Sequence, residues 1–387
     1  MSDQLLPEII AKILARSELH TIIQSRCVSK QWRAIIDDPH FIKHQINHSI
    51  KTNTNYSLYL KEQDGDFYHL DLSTINACNS LQLCSNLPNI LFGTLVGACN
   101  GLLCFRVQEN EDVCIINPFT RKQWWVLGTL LANFHNSSAS SSPNVNDVVW
   151  TGYGFGYDHV ADDYKVVRIA EISHSRRSVN DDDDVDMGLL EYEMVICYVK
   201  TRVVRVLKIP YHTRTTQKMG VLVNGALHWV MGRNDDVSSP NLIVGYNLAS
   251  CKFTEVAQPD FGDNGYRVDI GVFGVLLCVF AVDDMEMCTD VWVMEEYGVK
   301  ESWKKLCSIP HIETCYDFVR SLSFWRRGSE VLLELDQSRI VWYDMEKKTV
   351  RDVMLQKLQR SCFETIICLR SLAPIPLNED GEVVENR

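Results

Sequence analysis

Three histidines are spaced four residues apart, so one face of a helix would carry all of them: His40, His44 and His48. Imidazole is a common zinc ligand, but the neighbouring sequence supplies no obvious fourth ligand. The run Asp181 to Asp184, with Asp186, could attract calcium, yet it lacks a central glycine and a terminal bidentate glutamate. We therefore predict a solvated helix face and a solvated acidic loop, with no metal and no cofactor.

Glycine-rich and nucleophile motifs are the next candidates for chemistry. Gly152, Gly154 and Gly156 alternate with aromatic residues, which is typical of a strand and lacks the spacing of a dinucleotide-binding turn. The sequence contains no G-x-S-x-G elbow, no H-E-x-x-H helix and no C-G-x-C-W block. His228 and Trp229 fall in a predicted strand, where a histidine is more often a core or channel-lining residue than a base. No catalytic residue is predicted.

Composition narrows the class of partner. The 387 residues carry a net charge of −12, and 46% are hydrophobic, which indicates a folded chain whose field repels nucleic acid and anionic lipid. The longest apolar run, Ile270 to Val282, is too short to span a bilayer and predicts a buried strand. Fourteen cysteines without C-x-x-C pairs, behind an N-terminus without a secretory signal, predict reduced thiols in the cytoplasm and/or nucleus.

The first 48 residues have the apolar spacing of three short helices. One stripe runs from Leu5 to Leu14, a second helix covers Leu19 to Val28, and Ser29 is a suitable N-cap for a third that Asp37-Asp38-Pro39 ends. About 45 residues bury too little surface to be stable alone. The helices must therefore either dock on the rest of the chain or bind a partner, and composition leaves both possibilities open.

Four blocks in this region resemble the F-box of a large plant family: Leu6-Pro7-Glu8-Ile9-Ile10, Ile13-Leu14-Ala15-Arg16, Arg26-Cys27-Val28-Ser29-Lys30-Gln31-Trp32-Arg33 and Asp38-Pro39-His40-Phe41. In that family the F-box binds a Skp-type adaptor, which docks on a cullin. The resemblance implies that adaptor-facing or F-box core positions are Leu6, Pro7, Ile9, Ile10, Ile13, Leu14, Ile22, Ile23, Cys27, Val28 and Trp32. One departure stands out, because Ser17-Glu18 replaces the usual Leu-Pro and removes a preset turn, which predicts weaker adaptor binding.

From about residue 56 onward the chain has the pattern of short strands, with a coarse repeat. Its markers are Gly101, Gly154, Gly225, Gly274 and Gly328, which are about 53, 71, 49 and 54 residues apart. The long step contains the polar, acidic segment Ser173 to Gly188, which we interpret as an insertion. A period near 50 is typical of kelch-type propeller blades, and about six blades fit the length, although five or seven, or a pair of two-sheet sandwiches, would also fit.

Closing a ring removes exposed sheet edges, and Thr365 to Leu372 is the natural partner for Tyr56 to Leu60. Most tryptophans are expected in blade cores: Trp124, Trp125, Trp292, Trp303, Trp325 and Trp342. The segments 96–104, 117–121 and 154–167 resemble signatures of the plant F-box-associated interaction domain.

The predicted organisation is therefore a three-helix F-box (1–48), a linker (49–55), an all-β, kelch-like propeller (56–373) and a polar tail (374–387). The resemblance implies a non-catalytic, substrate-recognition subunit of a Skp–cullin–F-box ubiquitin ligase. Its partners would be the adaptor and, through it, cullin and a ubiquitin-conjugating enzyme, together with an unidentified target protein, and neither nucleic acid nor membrane. A non-degradative scaffold and a glycan-binding propeller are the alternatives.

Overall fold

The segment before the first strand forms four α-helices: α1 (Pro7–Leu14), α2 (Leu19–Ser25), α3 (Lys30–Ile36) and α4 (Pro39–Thr52). The computed structural model describes residues 6–62, 66–72, 75, 82–84, 93–107, 112–126, 128, 148–174, 189–214, 219–234, 240–261, 266–283, 285–311, 319–326, 330–353 and 362–375. Ser29 caps α3 by accepting a hydrogen bond of 3.1 Å from the Trp32 N–H, as predicted. The fourth helix was not predicted. Asp38 caps it and Pro39 occupies its first position, so the residues that end α3 also begin α4.

The boundary between the helices and the strands differs from the predicted one. Residue 48 falls inside α4, and the segment 49–55, predicted as a linker, contains the last turn of α4 and its cap, Asn53. Ile46 of α4 packs in the same core cluster as Leu369 and Ala373 near the end of the described chain. Helix α4 is therefore part of the propeller's packing, and no separate flexible linker precedes the first strand.

In the part of the chain that the structure describes, twenty-five strands form six sheets, or blades, around a ring. Blade 1 contains β1 (Tyr56–Glu62), β2 (Phe67–Asp71), β3 (Gln82–Leu83) and the last strand, β25 (Phe363–Leu369); blade 2 contains β4 (Gly93–Cys99), β5 (Leu102–Val107), β6 (Val113–Asn117) and β7 (Lys122–Val126); blade 3 contains β8 (Val148–Asp158), β9 (Asp163–His174), β10 (Leu189–Tyr198) and β11 (Val204–Lys208). Blade 4 contains β12 (Tyr211–Thr213), β13 (Val221–Val223), β14 (Ala226–Arg233), β15 (Leu242–Asn247) and β16 (Lys252–Val256); blade 5 contains β17 (Arg267–Phe273), β18 (Leu276–Asp283), β19 (Cys288–Met294) and β20 (Trp303–Pro310); blade 6 contains β21 (Val319–Arg326), β22 (Glu330–Leu335), β23 (Arg339–Asp344) and β24 (Thr349–Asp352).

The ring is closed. The innermost strands β4, β8, β13, β17, β21 and β25 contact one another in that cyclic order, and β25 contacts β4 again. Closure is made by antiparallel pairing of β25 with β1, in which Thr365 lies opposite Leu60 and Leu369 opposite Tyr56. The predicted closure and the six blades are confirmed, and the sandwich alternative is excluded because the six sheets contact one another in a closed cycle.

A recurring five-residue turn joins adjacent strands. Its first residue is Asn or Asp, whose side chain accepts the backbone N–H groups two and three residues later, and its fifth residue has a positive φ. The five examples pair Asn117 with Arg121, Asp158 with Asp162, Asn247 with Cys251, Asp283 with Met287 and Asp344 with Lys348. The Asn or Asp side chain thus accepts hydrogen bonds from backbone N–H groups that have no partner strand where the chain reverses direction.

One predicted feature has a different local structure. The run Ile270 to Val282 is not one strand but parts of β17 and β18, because Gly274 takes a positive φ of 65° and reverses the chain. Gly154 lies within strand β8, where a Cβ would come within 2.8 Å of Leu227. Gly101 and Gly225 do lie in turns with positive φ, as predicted. Gly328 lies outside the described residues, as does the predicted insertion apart from Ser173 and His174, which end β9.

Candidate functional site

The eleven residues proposed to face a partner or fill the helical core divide by exposure. Ile10, Leu14 and Ile22 are buried, and Ile23 and Trp32 are half-buried against them. The exposed members are Leu6, Pro7, Ile9, Ile13, Cys27 and Val28. Leu6, Ile9, Ile13 and Val28 are 62%, 42%, 53% and 63% exposed. We call these four residues the apolar helical surface.

Helix α1 is apolar on two adjacent faces. Leu6, Ile9 and Ile13 are three and four residues apart, so they share a face that lies beside the core face of Ile10 and Leu14. Pro7 occupies the first helical position, where its fixed φ favours the helix and its missing N–H costs nothing. One short helix therefore has one face in the core and a second apolar face in water.

The start of α2 shows the effect of the unusual Ser17-Glu18 pair. Glu18 is the N-cap residue, but its side chain makes no capping hydrogen bond. Its φ is −59°, which is the value that a proline ring would fix. The turn is therefore formed without proline, at the cost of the greater freedom that Glu18 has in the unfolded chain.

Residues 370–375, which we call the C-terminal strap, join the helices to the ring. Leu372 packs in the core cluster of α1, α2 and α3. The Asn117 side chain donates to the Ser371 and Ala373 carbonyls at 3.1 and 2.9 Å, and Ser371 Oγ donates to the Asn100 carbonyl at 2.6 Å. Phe119, in the β6–β7 turn, also packs against the helical core. No periodic pattern of residues predicted these contacts.

The two faces of the propeller follow from strand direction. The helices contact the β6–β7 turn and the β4–β5 turn lies beside the strap, so turns from first to second and from third to fourth strands share the helical side. Because neighbouring strands are antiparallel, the β18–β19 and β22–β23 turns, which join second to third strands, lie on the opposite side. In the β18–β19 turn on that side, Met285 is 90% exposed and Met287 is 42% exposed.

A central cavity of about 360 Å³ lies between the inner strands. Its wall includes Arg320 and Thr365, and α4 contributes Ile50 and Asn53 at one end. Arg320 Nη2 lies 2.6 Å from the buried Glu334 carboxylate and 3.0 Å from Thr365 Oγ1. These contacts tie blade 6 to blade 1 beside the closure seam, which the sequence pattern did not predict.

His228 is a core residue and not a candidate base. Because a carbonyl can only accept, Nδ1 donates to the Val221 carbonyl at 3.1 Å, and Nε2 then accepts from the Tyr297 hydroxyl at 2.7 Å. Burial lowers the pKa of His228 to about 4. The ring is therefore neutral near pH 7, and both nitrogens are engaged. Trp124, Trp303 and Trp342 are buried, as predicted, whereas Trp125 and Trp292 are half-buried; the Trp325 side chain lies outside the described part.

His40, His44 and His48 all lie on α4. Within the described residues, no three histidine, cysteine or carboxylate side chains are grouped closely enough to hold a metal ion. In the same part of the chain, no helix is long and apolar enough to cross a bilayer.

A helical module with exposed apolar side chains, fastened to a closed six-bladed ring, defines a two-part binding protein. Comparison with known protein families identifies both parts. The model of the F-box associated beta propeller domain matches residues 37–368, and that of the F-box domain matches residues 3–44. The chain belongs to the family of F-box proteins with an F-box associated beta propeller domain. The kelch type of the blades stays a prediction.

Relatives of known name are similar over most of their length. F-box protein CPR1 of Arabidopsis thaliana is 27% identical over 367 residues, which cover 90% of this chain and 84% of the relative. The Arabidopsis F-box/kelch-repeat protein At3g23880 is 27% identical over 342 residues, with 84% of each chain covered. An F-box domain implies binding to a Skp-type adaptor, and the general role of such proteins is substrate recognition in Skp–cullin–F-box ligases. Family members are typically non-catalytic substrate adaptors.

Proposed function

We propose that this chain is the substrate-recognition subunit of a Skp–cullin–F-box ubiquitin ligase and recruits a target protein for ubiquitination and proteasomal degradation. The apolar helical surface is the observation that carries the proposal. Its side chains are 42–63% exposed, so covering each one would add about half of the roughly 1.5–3 kcal/mol that full burial of such a side chain contributes. A Skp-type adaptor that covers Leu6, Ile9, Ile13 and Val28 would supply that burial.

The buried members of the predicted set have a different role in this proposal. Ile10, Leu14 and Ile22 hold α1 and α2 in the orientation that presents the surface, and Trp32 and Ile23 support them. Pro7 favours the start of α1, and Cys27 lies next to Val28 in the turn before α3. In this proposal the exposed residues contact the adaptor, and the buried residues hold the helices in the orientation that the adaptor binds.

The propeller binds the target with the face opposite the helices. Met285 and Met287 are exposed there, and methionine is a flexible, polarizable side chain suited to protein contacts. Because the strap and α4 fasten the helices to the ring, target and adaptor are held on opposite sides of one unit. The chain acts through effective concentration and orientation, and contributes no catalytic group.

We expect the chain to work in the cytoplasm and/or nucleus, where its fourteen cysteines stay reduced. Its partners there are the adaptor, cullin, the ubiquitin-conjugating enzyme and the target. No cofactor, membrane or nucleic acid takes part.

The experiment is affinity purification of the tagged full chain from cells with the proteasome blocked, followed by measurement of the half-life of each retained protein. A Leu6→Ser/Ile9→Ser/Ile13→Ser variant should lose adaptor and cullin, retain the target and lengthen the target's half-life. A Met285→Ser/Met287→Ser variant should retain adaptor and lose target. Equal half-lives with the target still bound would contradict degradation and favour a scaffold. Retention of glycans in place of a protein would favour the glycan-binding alternative.

A further inference from the structure

One cysteine lies in a polar cluster between blades 3 and 4. Cys251 is the fifth residue of the turn between β15 and β16 and is half-buried. The Lys165 ammonium and the Tyr198 hydroxyl each lie 3.6 Å from its sulfur. Lys165 and Tyr198 lie opposite each other on the paired strands β9 and β10 of blade 3, and Cys251 comes from blade 4, so the fold assembles the cluster.

Lys165 is held rigidly beside the sulfur. It is 1% exposed, its Nζ lies 2.8 Å from Asp158 Oδ2, and it also donates to the Leu248 carbonyl. The ammonium lies 4.4 Å from the centre of the Tyr198 ring, and the Arg205 guanidinium lies 5.4 Å from the same ring. The Lys165 ammonium is therefore fixed beside the Cys251 sulfur, which favours a negative charge on that sulfur.

Burial by itself would raise the pKa of Cys251. The hydroxyls of Tyr246 and Tyr198 and the Lys165 ammonium outweigh burial, so the pKa lies below its ordinary value. Among the described cysteines whose pKa departs from the ordinary value, Cys251 alone is lowered; the others are raised, chiefly by burial.

The cluster also has more donors than acceptors. Tyr246 is fully buried, and among the described residues its hydroxyl interacts only with this sulfur and has no other hydrogen-bond partner. Buried hydroxyls without a strong acceptor are unfavourable, and sulfur is only a weak acceptor. An oxygen atom bound to the sulfur would accept from Tyr246, Tyr198 and Lys165.

We propose that Cys251 is a site of reversible oxidation by hydroperoxides, at which Lys165, Tyr198 and Tyr246 hold the oxygen of the sulfenate. The thiol loses its proton to solvent, and the thiolate attacks one oxygen of the hydroperoxide. The S–O bond forms as the O–O bond breaks, and the departing alkoxide or hydroxide takes a proton from water. Sulfur loses two electrons and the peroxide gains two, so that thiol and hydroperoxide give sulfenic acid and alcohol or water. This proposal does not depend on the ligase role.

Cys288 is a matched internal control. It is also half-buried, but burial and the neighbouring carboxylates of Asp290 and Asp283 raise its pKa. The purified full chain is treated with hydrogen peroxide at pH 6.5 in the presence of dimedone, and adducts are quantified by peptide mass spectrometry. Labelling of Cys251 should be about tenfold faster than that of Cys288. Equal or slower labelling of Cys251 would overturn the proposal.

Two variants test the donors without removing the buried lysine. Tyr198→Phe and Tyr246→Phe each keep the ring and remove one hydroxyl, and each should slow Cys251 labelling by about threefold. Tyr68→Phe removes a hydroxyl on blade 1 that bonds Asp66, and it should leave the Cys251 rate unchanged. If Cys251 is labelled as fast in Tyr198→Phe and in Tyr246→Phe as in the wild type, the roles assigned to these two hydroxyls are wrong. If Tyr68→Phe slows the reaction equally, the effect is not local.

Discussion

The helices and the propeller differ in how they use apolar side chains. In the propeller, Leu58, Leu60, Val341 and Val279 are fully buried, and β25 completes blade 1 by pairing with β1. In α1, Ile10 and Leu14 are buried while Ile9 and Ile13 remain in water. The blades therefore bury their apolar side chains in their cores and expose a few on turns such as β18–β19, whereas α1 exposes them along one face of a helix. The comparison predicts that the blade cores supply stability, and that the exposed face of α1 and the β18–β19 turn are available to different partners.

Truncation before Phe363 should have the largest effect, since it removes the inner strand of blade 1, the closure seam and the strap together. The exposed edges should give aggregated protein without a cooperative melting transition. A chain ending at Ile375 keeps every described contact and should melt like the wild type. A soluble chain without β25 and with an unchanged melting temperature would show that the ring does not depend on closure.

Leu372→Ala should destabilise the helical module without destabilising the blades. It removes a buried side chain that the strap inserts into the helical core, which should cost about 2–5 kcal/mol. The loss should appear as faster hydrogen exchange in α1 and α2, with the blades unaffected. Val275→Ala, at an exposed position in the β17–β18 turn, is the control and should change stability by less than about 0.5 kcal/mol. Equal effects on helices and blades would mean that the strap does not act locally.

His228 should make the propeller sensitive to acid. Its pKa is about 4 in the folded chain against 6.5 for the ordinary group, so the unfolded chain binds the proton first as pH falls. The stability that the neutral ring contributes is complete above pH 6.5 and declines toward pH 4, by up to about 3 kcal/mol. Urea unfolding of the wild type and of His228→Asn at several pH values measures this. The two curves should converge as pH falls, and parallel curves would disprove the assignment.

Glu18→Pro should have the smallest effect. The φ of Glu18 already suits proline, so the substitution should stabilise the helical module by about 0.4–1 kcal/mol through the unfolded state. Thermal unfolding of the full chain and hydrogen exchange in α2 would show the gain. Lys12→Pro, inside α1, is the opposite control and should destabilise by about 3 kcal/mol. A loss of stability in Glu18→Pro would mean that this turn needs the residue it has.

Sequence patterns predicted the parts that repeat and missed the parts that are made only once. Alternating apolar residues indicated β1 and β25 and even their pairing, because a closed ring leaves few partners. Gly154 was predicted in a strand, but the sequence could not show why a glycine is needed there, since a Cβ would meet Leu227 of the next blade. Helix α4 has a weak apolar pattern, and Leu372 lies far from the helices in sequence, so their packing could not be inferred locally. The sequence also could not show which of the eleven predicted F-box positions are exposed and which are buried.

The most direct test of the central claim is calorimetric titration of the purified full chain with a purified Skp-type adaptor. The account predicts that Leu6→Ser/Ile9→Ser/Ile13→Ser weakens binding by at least about 100-fold, since several exposed apolar contacts are lost, while the melting temperature is unchanged. Leu14→Ala, which alters the core beneath the surface, should lower the melting temperature and weaken binding less. Wild-type affinity in the triple variant would contradict the assignment of this surface to the adaptor.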